Sequence, residues 1–348
     1  MNILTFIRWK EWGPDKITYF FTFFFYLALR ERIPPHLFLP DFLIGIAFIS
    51  SLAVFGYLSN DLGDRETDMV QGKRNSLSGL SPAAVALVFA VVVILMFILG
   101  LRFIQQRWFV VLWGAQVVLA VSYSLLPLRL KSRGWPGLAA NIIAQYTLPV
   151  ALIFSILEDY GSLEMLVMTL CATAAGADKE FSHQIYHLTP DMASETRTLA
   201  VRLGPEKAFR CYRFYLLADL FSIAALIVCL LIGIPTLEFF GLMGLPPALP
   251  VLMAYILLLV NVFVRRHRLN GSGYLDDPHN YKGPRNRINI LFTIFPNIVI
   301  PIYLAGLLTC YNYYYLFLIL FCFLWISPGI SKEKVRDILR ATTGGGTE

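Results

Sequence analysis

Charge is scarce in this chain. Only 15% of its 348 residues are Asp, Glu, Lys or Arg, against 57% hydrophobic residues and a mean hydropathy of +0.63. A soluble domain of this length needs far less apolar material to fill its core, so the composition points to a polytopic membrane protein. The N-terminus lacks a basic segment followed by an apolar stretch and a small-residue cleavage site, because Arg8, Lys10, Asp15 and Lys16 break up its first positions. No cleaved signal peptide is expected. The five cysteines, Cys171, Cys211, Cys229, Cys310 and Cys322, lack both metal-ligand spacing and a disulfide framework. They read as small hydrophobes within apolar runs. The runs also lack period-2 alternation, which excludes a membrane barrel and leaves helices, since backbone amides cannot go unpaired in lipid.

What the sequence does have is ten apolar runs, each bounded by charge or by Gly/Pro. They lie at about 17–29, 37–58, 81–101, 108–126, 137–157, 162–178, 209–233, 247–264, 288–308 and 311–327, and a span of the hydrocarbon core needs roughly 20 residues. With alternating connections, all of the 29 Lys and Arg except Arg30, Arg32, Arg102 and Arg107 fall on one side. The positive-inside rule places both termini and four charged loops in the cytoplasm. Ten spans put the basic tail (Lys332, Lys334, Arg336, Arg340) on that side too. The net charge of +6 then reflects topology and attraction to anionic headgroups, with no nucleic-acid footprint.

The first charged loop reads "SNDLGDRETDMVQGKRN", residues 59–75. Asn60, Asp64 and Asp68 recur every four residues, within an arc of roughly 80° on a helix, with Asp61 flanking them. Such an arrangement repels itself unless something positive sits there. Hard oxygen donors with room for phosphate and water suit Mg²⁺ better than a transition metal. Lys73 and Arg74 follow closely enough to neutralise phosphates. The plain alternative is a solvated, topology-fixing loop.

These residues resemble the first aspartate-rich motif, NDxxDxxxD, of the UbiA superfamily of intramembrane prenyltransferases. The second loop, "YSLLPLRLKSRGWPG" (123–137), is similar to that family's tyrosine followed by a Lys/Arg-rich stretch. The third contains "HQIYHLTPDMASETRTLAVRLG" (183–204), which ends like the family's second motif. By register from Thr198, the two positions of that DxxxD motif fall on His187 and Asp191, with Glu195 where many members have glycine. His183, His187, Asp191 and Glu195 are spaced by four, although Pro190 interrupts the segment. Three readings stay open: Asp191 and Glu195 form a displaced acidic pair, His187 ligates metal or handles a proton, or the second metal site is weakened.

The resemblance covers about residues 10–308. It implies an all-α bundle of nine to ten transmembrane helices around a central cavity opening to the cytoplasm. The chain would be one membrane domain, 1–348, with an extra helix at 311–327 and a tail at 328–348. It implies Mg²⁺ held by Asp61, Asp64, Asp68 and Asp191, with Glu195 a further candidate ligand. Asn60, Lys73, Arg74, Arg129 and Lys131 would bind the diphosphate of an isoprenoid donor. The second partner would be a lipid-soluble or amphipathic acceptor. Tyr123 and Tyr146 are candidates to face an allylic cation. Asn141, with Gln145 and Tyr146, would line the cavity, because polar groups inside a membrane usually face the bundle interior. Asn261, Asn297 and Asp219 read equally as helix–helix contacts. Residues 265–287 read either as a cap over the cavity mouth or as a topogenic loop. A terpene cyclase, a phosphoribosyl-transferring relative and a non-catalytic member remain alternatives.

Overall fold

The computed structural model describes residues 2–70, 72–193, 198–236, 245–268 and 290–329. Glu195 and almost all of 265–287 and of the basic tail lie outside the described residues. The ten apolar runs all fall on helices: α1 (Thr18–Arg30), α2 (Pro35–Val70), α3 (Pro82–Gly100), α4 (Phe109–Ser124), α5 (Trp135–Ile156), α6 (Leu163–Tyr186), α7 (Pro205–Gly233), α8 (Leu249–Arg268), α9 (Ile290–Tyr311) and α10 (Leu316–Ile326). Among the described residues, five helices are long and apolar enough to cross a membrane: α2, α3 with its 3₁₀ extension to Phe103, α5, α7 and α9. Shorter apolar helices accompany them.

α3 and α4 both pack against α2, from α4 to α9 each described helix packs against the next, and α1 is buried among them, touching α5, α7, α9 and α10. Every residue of α1 from Thr18 to Leu29 is buried. A helix that is apolar all round has no face to show to solvent, which suits the interior position. Its Phe21, Phe24 and Phe25 meet Phe42 of α2 at ring separations of 5.2–5.4 Å. Phe321 of α10 reaches both Phe21 and Phe42, so α10 lies against both α1 and α2.

Two helices run eight or more residues past the end of their apolar runs, and both extensions concern charge. The second run stops at residue 58, yet α2 continues to Val70 and carries the whole aspartate-rich motif on its last turns. The sixth stops at 178, yet α6 continues to Tyr186 with Asp178 and Glu180 buried within it. Apolarity ends where charge begins, but a helix ends only where its backbone bonds stop.

Among the described residues, three stretches are π-helical: Gly13–Ile17 before α1, Ile143–Thr147 within α5, and Ile290–Val299 at the start of α9. Such turns re-aim side chains and are frequent at functional sites.

Candidate functional site

The connections after α2, α4 and α6 meet at one end of the bundle. Gly63 sets the approach of α2 to α4, because a Cβ there would lie 2.4 Å from the Ser124 carbonyl oxygen. That contact brings the last turns of α2 beside residues 125–134. Arg129 Nη2 donates to Asp64 Oδ1 at 2.9 Å, and Lys131 Nζ reaches Asp64 Oδ2 at 2.6 Å and Asn60 Oδ1 at 2.9 Å. Arg129 holds a left-handed backbone conformation (φ 37°). That region is costly for a non-glycine residue, by about 1–3 kcal/mol, and recurs where a site demands it. Burial pushes the Lys131 ammonium below its ordinary value, against the pull of Asp64.

Asp61 and Asp68 take other partners. Asp61 is 1% exposed, with Oδ1 accepting from Arg8 Nη1 at 2.6 Å and Oδ2 from the Ser76 amide at 2.9 Å. Arg8 also has a left-handed backbone (φ 55°), and its guanidinium lies over the Tyr57 ring at 5.2 Å. Asn75 ties the rest together: its Nδ2 donates to the Asp61 carbonyl at 2.7 Å and to Asp68 Oδ2 at 2.9 Å. Arg74 donates to the Thr5 carbonyl. The structure therefore divides the motif. Asn60 and Asp64 face the second loop, Asp68 faces Asn75, and Asp61 anchors the N-terminal segment. Trp325 holds that segment from the far side, donating to the Gly13 carbonyl at 2.9 Å.

The third loop arrives by a broken path. α6 ends at Tyr186, His187 caps it, and a short helix, Leu188–Ala193, carries Asp191. One continuous helix through His183, His187 and Asp191 does not form, because Pro190 cannot donate the backbone bond that a helix interior needs. The His183 and His187 rings still meet edge to face, 4.6 Å apart. Burial raises the Asp191 carboxyl above its ordinary value, while His187 and Lys73 of the first loop pull it back, so the first and third loops face each other.

Among the described residues, no three His, Cys, Asp or Glu side chains stand close enough to hold a metal ion. The α2 face instead offers one amide and two carboxylates, all hard oxygen donors, with Arg129 and Lys131 on the Asp64 oxygens. That donor chemistry fits a hard divalent cation such as Mg²⁺, and the two cationic side chains fit an anion beside it.

Deeper in the bundle lies a second polar group that composition hides. Lys16 pairs with Glu180 at 3.0 Å and donates to Gln145, and Asn141 donates to Glu180. Tyr146, 1% exposed, lies under Lys16 Nζ at 5.4 Å and under Lys179 Nζ at 5.9 Å. Gly176 makes room for it, since a Cβ there would lie 2.5 Å from the Tyr146 ring. Tyr123 is within electrostatic reach of Asp64 on one side and of Glu180 and Lys16 on the other. Sequence reading missed Arg8, Asn75, Lys16, Lys179 and Glu180. The run "ADKE" at 177–180, inside an otherwise apolar stretch, was the available clue for the last two.

The UbiA prenyltransferase family model matches residues 18–271. Comparison with curated protein sequences gives no match. Solved structures of a UbiA homolog from Archaeoglobus fulgidus share the fold. The form bound to GPP and Mg²⁺ aligns with a TM-score of 0.58 at 16% identity, covering 93% of this chain and 99% of that one. The form bound to DMAPP and Mg²⁺ gives 0.55 at 17% identity, covering 93% and 98%.

Proposed function

Because this chain belongs to the UbiA prenyltransferase family, we propose that it transfers an isoprenoid chain from its diphosphate to a lipid-soluble or amphipathic nucleophilic acceptor, with Mg²⁺ as its metal. The observation that carries this reading is the convergence of Arg129 and Lys131 on Asn60 and Asp64. The solved Archaeoglobus homolog holds GPP or DMAPP with Mg²⁺, which supports the same pairing here.

Asn60, Asp64 and Asp68 would hold Mg²⁺, with Asp191 contributing from the third loop. Bound Mg²⁺ supplies positive charge that neutralises diphosphate oxygens. Arg129 and Lys131 would turn from Asp64 to the diphosphate, and Lys73 would assist from beside Asp191. The C–O bond breaks with its electron pair leaving on the diphosphate, and the apolar interior keeps water from the allylic cation. The faces of Tyr123 and Tyr146 would stabilise that cation. The acceptor then bonds to the allylic carbon and gives up a proton, which His187 of the third loop would take. Asp61, with both oxygens engaged, positions the N-terminal segment in this reading. The chain would sit in the membrane as one domain of nine to ten spans, with the four charged loops and both termini cytoplasmic.

Purified protein incubated with Mg²⁺ and radiolabelled isoprenyl diphosphates of several lengths, with and without membrane extract, tests this. Diphosphate release that requires extract and stops on chelation is expected. Release without acceptor, giving a hydrocarbon or alcohol, would favour cyclisation instead, and no release would remove the transferase reading.

A further inference from the structure

The N-terminal segment and α10 both lie outside residues 18–271, the stretch that the family model matches, and they are packed against each other. Trp325 of α10 makes the join. Its indole N–H donates to the Gly13 carbonyl at 2.9 Å, across 312 residues of sequence. Its ring lies 4.6 Å from that of Trp9, 5.7 Å from Phe21 of α1 and 5.5 Å from Phe321. Trp9 also meets Trp12 edge to face at 4.9 Å, and Trp12, itself buried, donates to the Ile7 carbonyl at 2.7 Å. Gly13 permits this packing, because a Cβ there would lie 2.6 Å from the Trp9 ring.

The residue before Trp9 is Arg8, whose left-handed backbone (φ 55°) is a conformation that a non-glycine residue keeps only when its surroundings over-determine it. Trp9 and its aromatic partners fix the chain on one side of it. On the other, the Arg8 guanidinium grips Glu11 at 2.8 and 2.6 Å and donates to Asp61 Oδ1 at 2.6 Å. Asp61 is buried, so losing Arg8 would leave an unpaired charge in the interior. Asp61 in turn accepts from the Ser76 amide at 2.9 Å and from Asn75 at 2.7 Å, and Asn75 donates to Asp68 at 2.9 Å. Contact is therefore continuous from α10 to the last aspartate of the motif. We propose that Trp325 is a positioning residue for the metal and diphosphate site read above, a reading on which this inference rests. By fixing Trp9 and Gly13 it places Arg8 on Asp61, and Asp61 with Asn75 sets Asp68 for Mg²⁺. Tryptophan suits the task because it joins a large ring to an N–H donor. Phenylalanine reproduces the packing without the bond.

The test uses purified full-length protein with geranyl diphosphate, membrane extract and a Mg²⁺ titration. Trp325→Phe is expected to raise the Mg²⁺ concentration for half-maximal diphosphate release about fivefold, and Arg8→Gln about tenfold. The double variant Arg8→Gln/Trp325→Phe should lie within about twofold of Arg8→Gln alone, because both changes act through Asp61. A second readout needs no turnover. Trp325→Phe is expected to speed amide hydrogen exchange about threefold or more at residues 75–76 as well as at 3–17, with α4 unaffected. An unchanged Mg²⁺ requirement, effects that multiply in the double variant, or faster exchange confined to 3–17 would overturn the proposal. A wild-type protein that releases no diphosphate would sink the transferase reading, and exchange at 75–76 would then decide the reach of Trp325 by itself.

Discussion

The two ends of the bundle solve opposite problems with the same side chains. At the end away from the three loops, a single cation is met by several acids: Arg30 reaches Asp159 at 2.6 Å, Glu31 at 3.2 Å and Glu164 at 3.9 Å. Arg102 likewise pairs with Asp41 at 2.9 Å. At the loop end Arg8 is also shared by two acids, Asp61 and Glu11, but one acid, Asp64, is met by two cations, Arg129 and Lys131. The first arrangement saturates positive charge and ties one connection to the next. The second holds positive charge in excess, within reach of an anion that can outbid one carboxylate. Charge count alone would not separate them, since both ends contain arginine beside aspartate. Stoichiometry does.

The largest effect is expected from Asp64→Ala. It removes the acid that both cations share and one metal donor, so prenyl diphosphate turnover should fall by about 10²–10³-fold. Thermal unfolding should show the bundle intact. Near-normal turnover would mean that the surplus of cations over acid has no catalytic meaning. Lys131→Met comes next. Loss of one charge-assisted contact, worth about 1.5–3 kcal/mol, should lower kcat/KM for the donor roughly 10–100-fold. A change confined to stability would make Lys131 a tie like Arg30.

Asn75→Ala probes how the loop end is held rather than what it binds. Asn75 gives its amide to both the Asp61 carbonyl and Asp68, and its own oxygen accepts from the Leu77 amide. Truncation should cost about 1–2 kcal/mol of stability and lower activity about tenfold through Asp68, read by comparing unfolding midpoints with turnover.

The two ends also differ in how plainly the sequence announces them. The four-residue spacing of Asn60, Asp64 and Asp68 survives in the structure because α2 runs on to Val70, and local periodicity is what a helix preserves. The Arg8–Asp61 pair spans 53 residues and depends on how the N-terminal segment folds back, which no local pattern encodes. Lys16–Glu180 spans 164 residues and is further hidden because charge ordinarily marks the end of an apolar span. The ten helices were legible from apolar run length. That α1 lies inside the bundle was not, since a run buried by protein and a run facing lipid read alike.

The acidity of the third loop gives a smaller, pH-dependent effect. Burial raises the Asp191 carboxyl above its ordinary value of 3.8, against the pull of His187 and Lys73. Between the ordinary value and the raised one, the folded state binds more protons than the unfolded state, so stability falls as pH rises through that window. Asp191→Asn should therefore flatten the fall in unfolding midpoint as pH rises above 3.8. An unchanged pH slope would mean that the group exposes its charge as freely as an ordinary aspartate.

The smallest effect is expected where the comparison began, at Arg30. Its guanidinium is 24% exposed and its main partner Asp159 is 18% exposed, so the pair is partly screened, and Arg30→Gln should cost about 0.5–1 kcal/mol. Asp159 keeps a second partner in the Ser162 hydroxyl at 3.2 Å, which limits the damage. Donor turnover and donor KM should both stay within about twofold, because an arginine surrounded by acids has no charge to spare for a ligand. A drop in turnover as large as that of Lys131→Met, without a matching loss of stability, would show that the two ends are coupled in function and that the ratio of cations to acids does not tell them apart.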